Sequence, residues 1–319
     1  MKLVILDGHA VNPGDLSWAF FYNHADVTVY ERTPSSLVAE RIGDADAIFL
    51  NKINITKEIL DKCPNLKYIG VLATGYNVVD LKAAKEKNII VTNIPSYSTD
   101  SVAQHVFSFI LHFTNHVATH ALSGKNGEWI SCPDFCYWNE SLIELKGKTL
   151  GIFGYGNIGS KVAKIAEVFG MNVICCTRTP KDGIAAASEH PGLNFEELLK
   201  QSDFVSLHAP LTEQTQNIIN KDSISLMKKS AYLINTARGG FVVEKDLADA
   251  LNQEQIAGYA ADVILEEPMD KNNPLRLAKN CIITPHIAWA PKETRQRLLG
   301  IAQNNFIAWI NGKPENVVN

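Results

Sequence analysis

The sequence predicts an α/β protein of two parallel-sheet domains, the larger inserted into the smaller. Short apolar runs alternate with helical patterns along the chain, the arrangement of parallel sheets covered on both faces. One strand-to-helix joint, at residues 154–159, is a glycine-rich turn that opens a second series of strands. A last helical pattern, Pro291 to about Trp309, follows the final strand and is expected to pack back on the first domain. With 319 residues the chain has length for two buried cores.

In the first domain, residues 1–99 with 287–319, the runs Leu3–Leu6, Val27–Tyr30, Ala47–Leu50, Tyr68–Leu72 and Ile89–Val91 predict strands. Leu37–Ile42, Lys57–Cys63 and Asp80–Lys87 predict the helices between them. Near Pro95 a polar, cap-like stretch introduces a long helical pattern reaching about Leu122. An irregular segment from Gly124 to Glu140 follows, rich in aromatics: Trp129, Phe135, Tyr137 and Trp138. The second domain, residues 100–286, then runs through strands at 149–153, 172–176, 204–207, 231–235, 258–262 and 281–284. The chain crosses between domains near 97–102 and 286–292. These are hinge candidates, and a cleft between domains is the default place for a ligand.

A hydrophobic share of 46% and a charged share of 20% are those of an ordinary globular protein. A net charge of −4 without a Lys/Arg-rich run argues against nucleic acid. No stretch stays apolar for the ~18 residues of a membrane span, and the short apolar N-terminal run predicts a strand, so a cytoplasmic protein is expected. Cys132 and Cys136 have no second pair or nearby His to complete a zinc site. His112, His116 and His120 are spaced four apart without an evident carboxylate or Cys partner, so no metal is expected.

The turn Gly154, Tyr155, Gly156, Asn157, Ile158, Gly159 stands after an apolar run and before a helical pattern, with another apolar run beyond. That context gives a G-x-G-x-x-G turn its meaning as a dinucleotide site. Gly154 suits the tight turn, Gly156 the approach of a pyrophosphate, and Gly159 the packing of helix on strand. The helix N-terminus then offers N–H groups to phosphate.

Three polar residues follow later strands of this domain: Arg238, Glu267 and His286. Open α/β sheets bind ligands at the carboxyl ends of strands, so all three can serve one site. Arg238 offers a bidentate fork to a carboxylate, and His286 can exchange a proton with a substrate oxygen. Glu267 can orient the imidazole and favour its charged form. Singly, each has a plainer reading as a turn cap, a surface loop or a structural histidine. Together, beside a dinucleotide turn, they point to hydride transfer at a hydroxyl/carbonyl carbon.

Over nearly its whole length the chain resembles the D-isomer-specific 2-hydroxyacid dehydrogenases. The resemblance lies in the glycine turn and in four later motifs: His208 to Thr212, Asn235 to Gly240, Asp262 to Pro268 and Thr284 to Ala288. It implies a doubly wound Rossmann nucleotide domain inserted into a smaller flavodoxin-like substrate domain. It also implies that Arg238 binds the substrate carboxylate and that Glu267 pairs with the acid–base His286. Asp262 would contact the nicotinamide, while His208, Pro210, Thr215, Thr236 and Ala237 would lie along the cofactor. Ala73, Thr74 and Gly75 would offer backbone N–H groups to the carboxylate. Within the family, the aromatic segment and Trp289 resemble the glycerate dehydrogenase and hydroxypyruvate (glyoxylate) reductase branch, whose substrates are small 2-oxo acids. A homodimer is implied, with Trp138 either walling the substrate across it or packing as an interface or core aromatic.

One position departs from an NAD-preferring site, which places an acid about 20 residues past the turn. Here Thr177, Arg178 and Thr179 stand instead, which suits a 2′-phosphate and favours NADP(H); NAD stays open, since Arg also stacks on adenine. Two other functions share the fold: a D-lactate-type dehydrogenase, and a nicotinamide-sensing corepressor that binds peptides. The intact Arg, Glu and His set favours an enzyme.

Overall fold

The computed structural model describes residues 1–177 and 192–319. The chain divides into two compact units, Met1–Ser98 with Trp289–Asn319, and Thr99–Ala288.

The first unit runs β1 (Lys2–Ile5), α1 (Gly8–Val11), α2 (Ala19–Tyr22), β2 (Asp26–Val29), α3 (Val38–Ile42), β3 (Ala47–Leu50), α4 (Lys57–Lys62), β4 (Tyr68–Val71), α5 (Leu81–Glu86) and β5 (Ile90–Thr92). The strands are parallel in the order β2-β1-β3-β4-β5. Strand side chains alternate between the two faces, and here both faces are apolar because both are covered. Val4, Ile48, Leu50, Ile69 and Val71 pack against Val38, Ile42, Leu60 and Ala84 of α3, α4 and α5. Leu3, Ile5, Phe49 and Tyr68 face the opposite way, onto Phe21 of α2 and Leu298, Ala302 and Phe306 near the C-terminus.

The second unit begins with α6 (Thr99–Asn115) and α7 (Val117–Lys125). One continuous helix to Leu122 was the expectation, but His116, at φ 46°, takes a left-handed conformation that breaks it. Then come β6 (Thr149–Phe153), α8 (Asn157–Val168), β7 (Asn172–Cys176), α9 (Phe195–Gln201), β8 (Phe204–Leu207), α10 (Lys221–Ser225), β9 (Tyr232–Asn235), α11 (Glu244–Asn252), β10 (Gly258–Ala261) and β11 (Cys281–Ile283). These six strands form a parallel sheet ordered β11-β10-β9-β8-β6-β7. The order reverses beside β6, so the glycine turn stands at the topological switch point.

The chain returns to the first unit with α12 (Lys292–Ile310). Arg295 anchors it there: its guanidinium grips both oxygens of Asp15 at 2.7 Å and donates to the carbonyls of Val11 and Ala290. The final residues run antiparallel to β5. Val318 N–H donates to Val91 O, and the Asn319 side chain bonds both Val91 N–H and Ile89 O. The tail thus covers a sheet edge that would otherwise be open to another strand.

Candidate active site

The glycine turn has the shape its sequence requires. Gly154 has φ 97°, and a Cβ there would stand 2.4 Å from Ala209 N. A Cβ on Gly159 would stand 2.2 Å from the carbonyl oxygen of Gly154. Both positions therefore exclude any side chain. Gly156 differs, for a Cβ there would meet nothing within 4 Å. It is the N-cap of α8, and no side chain caps that helix end. Open space above an uncapped helix N-terminus fits the phosphates of a dinucleotide. Two strands along the same sheet, just after β9, the buried Thr236 hydroxyl has no hydrogen-bond partner among the described residues. It is a polar atom for a ligand to satisfy.

The residues assigned to the cofactor's length occupy the ends of β8 and β9. His208 bonds Ser206 Oγ through Nε2 at 2.8 Å, and burial pushes its imidazole down to about 3, so the ring is neutral at physiological pH. The Thr215 hydroxyl is engaged within its own turn, donating to Pro210 O and accepting from Thr212 N–H. Asn235 shapes the next turn by accepting from Ala237 N–H and donating to Arg238 O. Thr177 follows β7 and is half-buried, whereas Arg178 and Thr179 lie outside the described residues.

Three adjacent strands then deliver the polar set. Arg238 follows β9, exposed, and among the described residues its guanidinium meets no carboxylate; Nη1 donates to Ala237 O. Gly239 permits a close approach of this turn to the segment after β10, because a Cβ would stand 1.9 Å from the carbonyl carbon of Ile264. Beyond Ile264, Glu267 Oε2 meets His286 Nδ1 at 2.7 Å, and Glu267 Oε1 accepts from Ile264 N–H at 3.3 Å. His286 follows β11 with φ 55°, and its N–H donates to Thr284 O. A carboxylate only accepts, so Nδ1 carries a proton and Nε2 is the atom left for a substrate oxygen.

Asp262 is 1% exposed and holds the turn that carries His286. Its Oδ1 accepts from Thr284 Oγ1 at 2.6 Å and from Ile287 N–H at 2.8 Å, and its Oδ2 from Ala288 N–H at 2.8 Å. The resemblance assigned Asp262 to the nicotinamide; the donors it meets here are the protein's own. Sequence reasoning missed this clamp, as a strand-end Asp carries no signal of which turn it will bind. Among the described residues no group of His, Cys, Asp and Glu is placed to hold a metal.

The other expected substrate residues belong to the first unit. Ala73, Thr74 and Gly75 form the turn after β4. Ala73 O accepts from Ile94 N–H, and Thr74 Oγ1 donates to Ile94 O at 2.8 Å. Trp289 packs at the edge of that unit's core.

Residues 107–288 match the family model described as D-isomer specific 2-hydroxyacid dehydrogenase, NAD binding domain. A hydroxypyruvate reductase of Blautia hydrogenotrophica is 47% identical over 322 residues, covering all of both chains. A glycerate dehydrogenase of Methylorubrum extorquens is 38% identical over 321 residues, covering 99% of this chain and 98% of its own. Among solved structures, an NADPH-dependent glyoxylate/hydroxypyruvate reductase of Sinorhizobium meliloti, in complex with NADP and malonate, superposes with a TM-score of 0.83 at 25% identity. The match covers 99% of this chain and 96% of that one. The chain belongs to the D-isomer-specific 2-hydroxyacid dehydrogenase family and is an NAD(P)-dependent oxidoreductase.

Proposed function

We propose that this protein reduces small 2-oxo acids, hydroxypyruvate and glyoxylate foremost, to D-2-hydroxy acids. The observation that carries the reading is the 2.7 Å pair between Glu267 and His286 at the same carboxyl end of the parallel sheet as Arg238 and the glycine turn. Full-length similarity to a hydroxypyruvate reductase and a glycerate dehydrogenase supports the choice of substrate.

Arg238 holds the substrate carboxylate and polarises the 2-oxo oxygen. His286 gives that oxygen its proton from Nε2, while Glu267 keeps the ring oriented and stabilises the imidazolium before transfer. A bound dihydronicotinamide supplies the hydride to the 2-oxo carbon. Neutral His208 and the uncapped start of α8 would hold the dinucleotide, and the Thr236 hydroxyl, unpartnered among the described residues, would donate to it.

NADP(H) is the preferred dinucleotide on this reading, because no acid follows β7 where a ribose 2′-hydroxyl would need one. A second copy of the chain covers the 126–144 segment, where Trp129, Ile130, Phe135 and Trp138 are each more than 60% exposed.

Steady-state oxidation of NADPH and NADH with hydroxypyruvate, glyoxylate, pyruvate and 2-oxoisocaproate tests this. Preferred turnover of hydroxypyruvate or glyoxylate with NADPH is expected. Turnover with NADH alone overturns the dinucleotide preference, and pyruvate or 2-oxoisocaproate as best substrate overturns the substrate.

A further inference from the structure

The turn that presents His286 is held from behind by a chain of side chains reaching into α6. Thr284 Oγ1 stands 2.6 Å from Asp262 Oδ1 and 3.0 Å from His105 Nε2. The hydroxyl has one proton, and the carboxylate can only accept, so that proton goes to Asp262. Thr284 Oγ1 must then accept from His105, which fixes His105 as the Nε2–H tautomer. His105 Nε2 also lies 3.6 Å from Asp262 Oδ1, and its ring packs edge-on against Phe109. Asp262 in turn binds the N–H groups of Ile287 and Ala288, on the far side of His286 from Thr284.

We propose that His105 and Thr284 are positioning residues for His286: the chain His105–Thr284–Asp262 locks both flanks of the left-handed His286 turn and so holds its imidazole against Glu267. The need for a lock follows from the backbone. A non-glycine residue at φ 55° is sterically disfavoured and persists only where its surroundings impose it. Here three hydrogen bonds converge on one buried carboxylate, two from the chain after His286 and one from the residue two before it. Asp262 needs those donors to remain buried as an anion, and Thr284 keeps its hydroxyl aimed at Asp262 because His105 occupies its lone pair. Burial holds the His105 imidazole below its ordinary range despite the nearby carboxylate, so the neutral tautomer is the resting one. The side-chain polar contacts of both residues run to Asp262 and to each other, so their action on His286 passes through the turn.

The inference rests on His286 being the acid–base group, and its test separates the two. In the full-length protein the Nδ1–H of His286, hydrogen-bonded to Glu267, should give a downfield imidazole proton resonance, assigned by its loss in His286→Gln. Thr284→Val keeps the shape and removes the hydroxyl. It should broaden or abolish that resonance and lower kcat roughly tenfold or more, with KM for the oxo acid and dinucleotide Kd within about twofold. Thr284→Ser should restore both. His105→Phe should repeat the loss, and His105→Gln, which keeps a donor near the Nε2 position, should recover it. If Thr284→Val proves unstable, His105→Phe carries the same comparison. A retained resonance with kcat within about twofold of wild type, in either Thr284→Val or His105→Phe, overturns the proposal. A wild type that shows the resonance but turns over no 2-oxo acid overturns the functional reading, and the resonance in the variants still decides whether the lock exists.

Discussion

Both units end their parallel strands in polar turns, yet they use those ends in opposite ways. In the first unit Asp7, at the end of β1, places its carboxylate on the backbone N–H groups of Asn51 and Lys52 beyond β3, each at 2.7 Å. The anion-binding position at that switch point is filled by the protein's own side chain. In the second unit the equivalent joint after β6 carries glycines, and its helix N-terminus has no capping side chain. The same sheet architecture thus makes a closed end where the sequence supplies a carboxylate and an open one where it removes side chains. The Glu267–His286 pair and the glycine turn both belong to the open unit.

If chemistry is confined to that unit, the largest effect should come from His286→Ala. Its kcat for 2-oxo acid reduction should fall about 1,000-fold, while the dinucleotide Kd, followed by fluorescence titration, stays within about twofold. Comparable kcat in the variant would place the proton transfer elsewhere.

The glycines sharpen the comparison, because they divide into two kinds. Gly159→Ala puts a Cβ 2.2 Å from a backbone oxygen, so it should lower the melting temperature and weaken the dinucleotide at least ~100-fold. Gly156→Ala meets open space in the protein, so its melting temperature should hold. The dinucleotide should still bind roughly tenfold more weakly, because the methyl intrudes on the ligand. Unaltered affinity in Gly156→Ala would show that the pyrophosphate does not approach there.

Asp7→Asn probes the closed end. An amide in place of the carboxylate turns an N–H₂ group toward one of the two N–H donors, Asn51 buried and Lys52 partly so. The cost should be about 2–3 kcal/mol in denaturant unfolding of the first unit. Dinucleotide affinity should not change, and a parallel loss of binding would mean that the two ends are not independent.

Much of this contrast was legible in the sequence, and the limits have physical causes. All eleven strands among the described residues were visible as apolar runs, since a strand covered on both faces has few alternatives to Val, Ile and Leu. The glycine turn was visible for the opposite reason, as no other residue fits at 154 or 159. The one-turn helices α1 and α2 were not, being too short to show a period. The break at His116 escaped as well, because a left-handed histidine leaves the helical spacing around it intact. The strand-end Arg238, Glu267 and His286 announced themselves by chemistry. Asp7, Asp262 and Thr284 did not, for their partners are backbone groups or neighbours brought together only by the sheet.

The smallest expected effect separates the units by pH. The His208 imidazole in the second unit is pushed by burial from 6.5 down to about 3. In the unfolded chain it takes up a proton near 6.5, so between those values the unfolded state binds more protons and stability falls as pH falls. His105, also lowered by burial, acts in the same sense. Asp7 in the first unit has the opposite sign. Burial raises its carboxyl above 3.8, so its contribution is complete at low pH and is lost as pH rises through the raised value. Mild acid should therefore weaken the open unit while Asp7 favours the closed one. For His208 the loss between pH 7 and pH 5 should be about 1–2 kcal/mol. His208→Gln cannot titrate, so thermal melts of the free protein should show a smaller drop between those pH values than in the wild type. Equal drops in the two proteins would mean that His208 is accessible to protons in the folded state. Its ring would then bear positive charge in mild acid, against the neutral role given to it beside the dinucleotide.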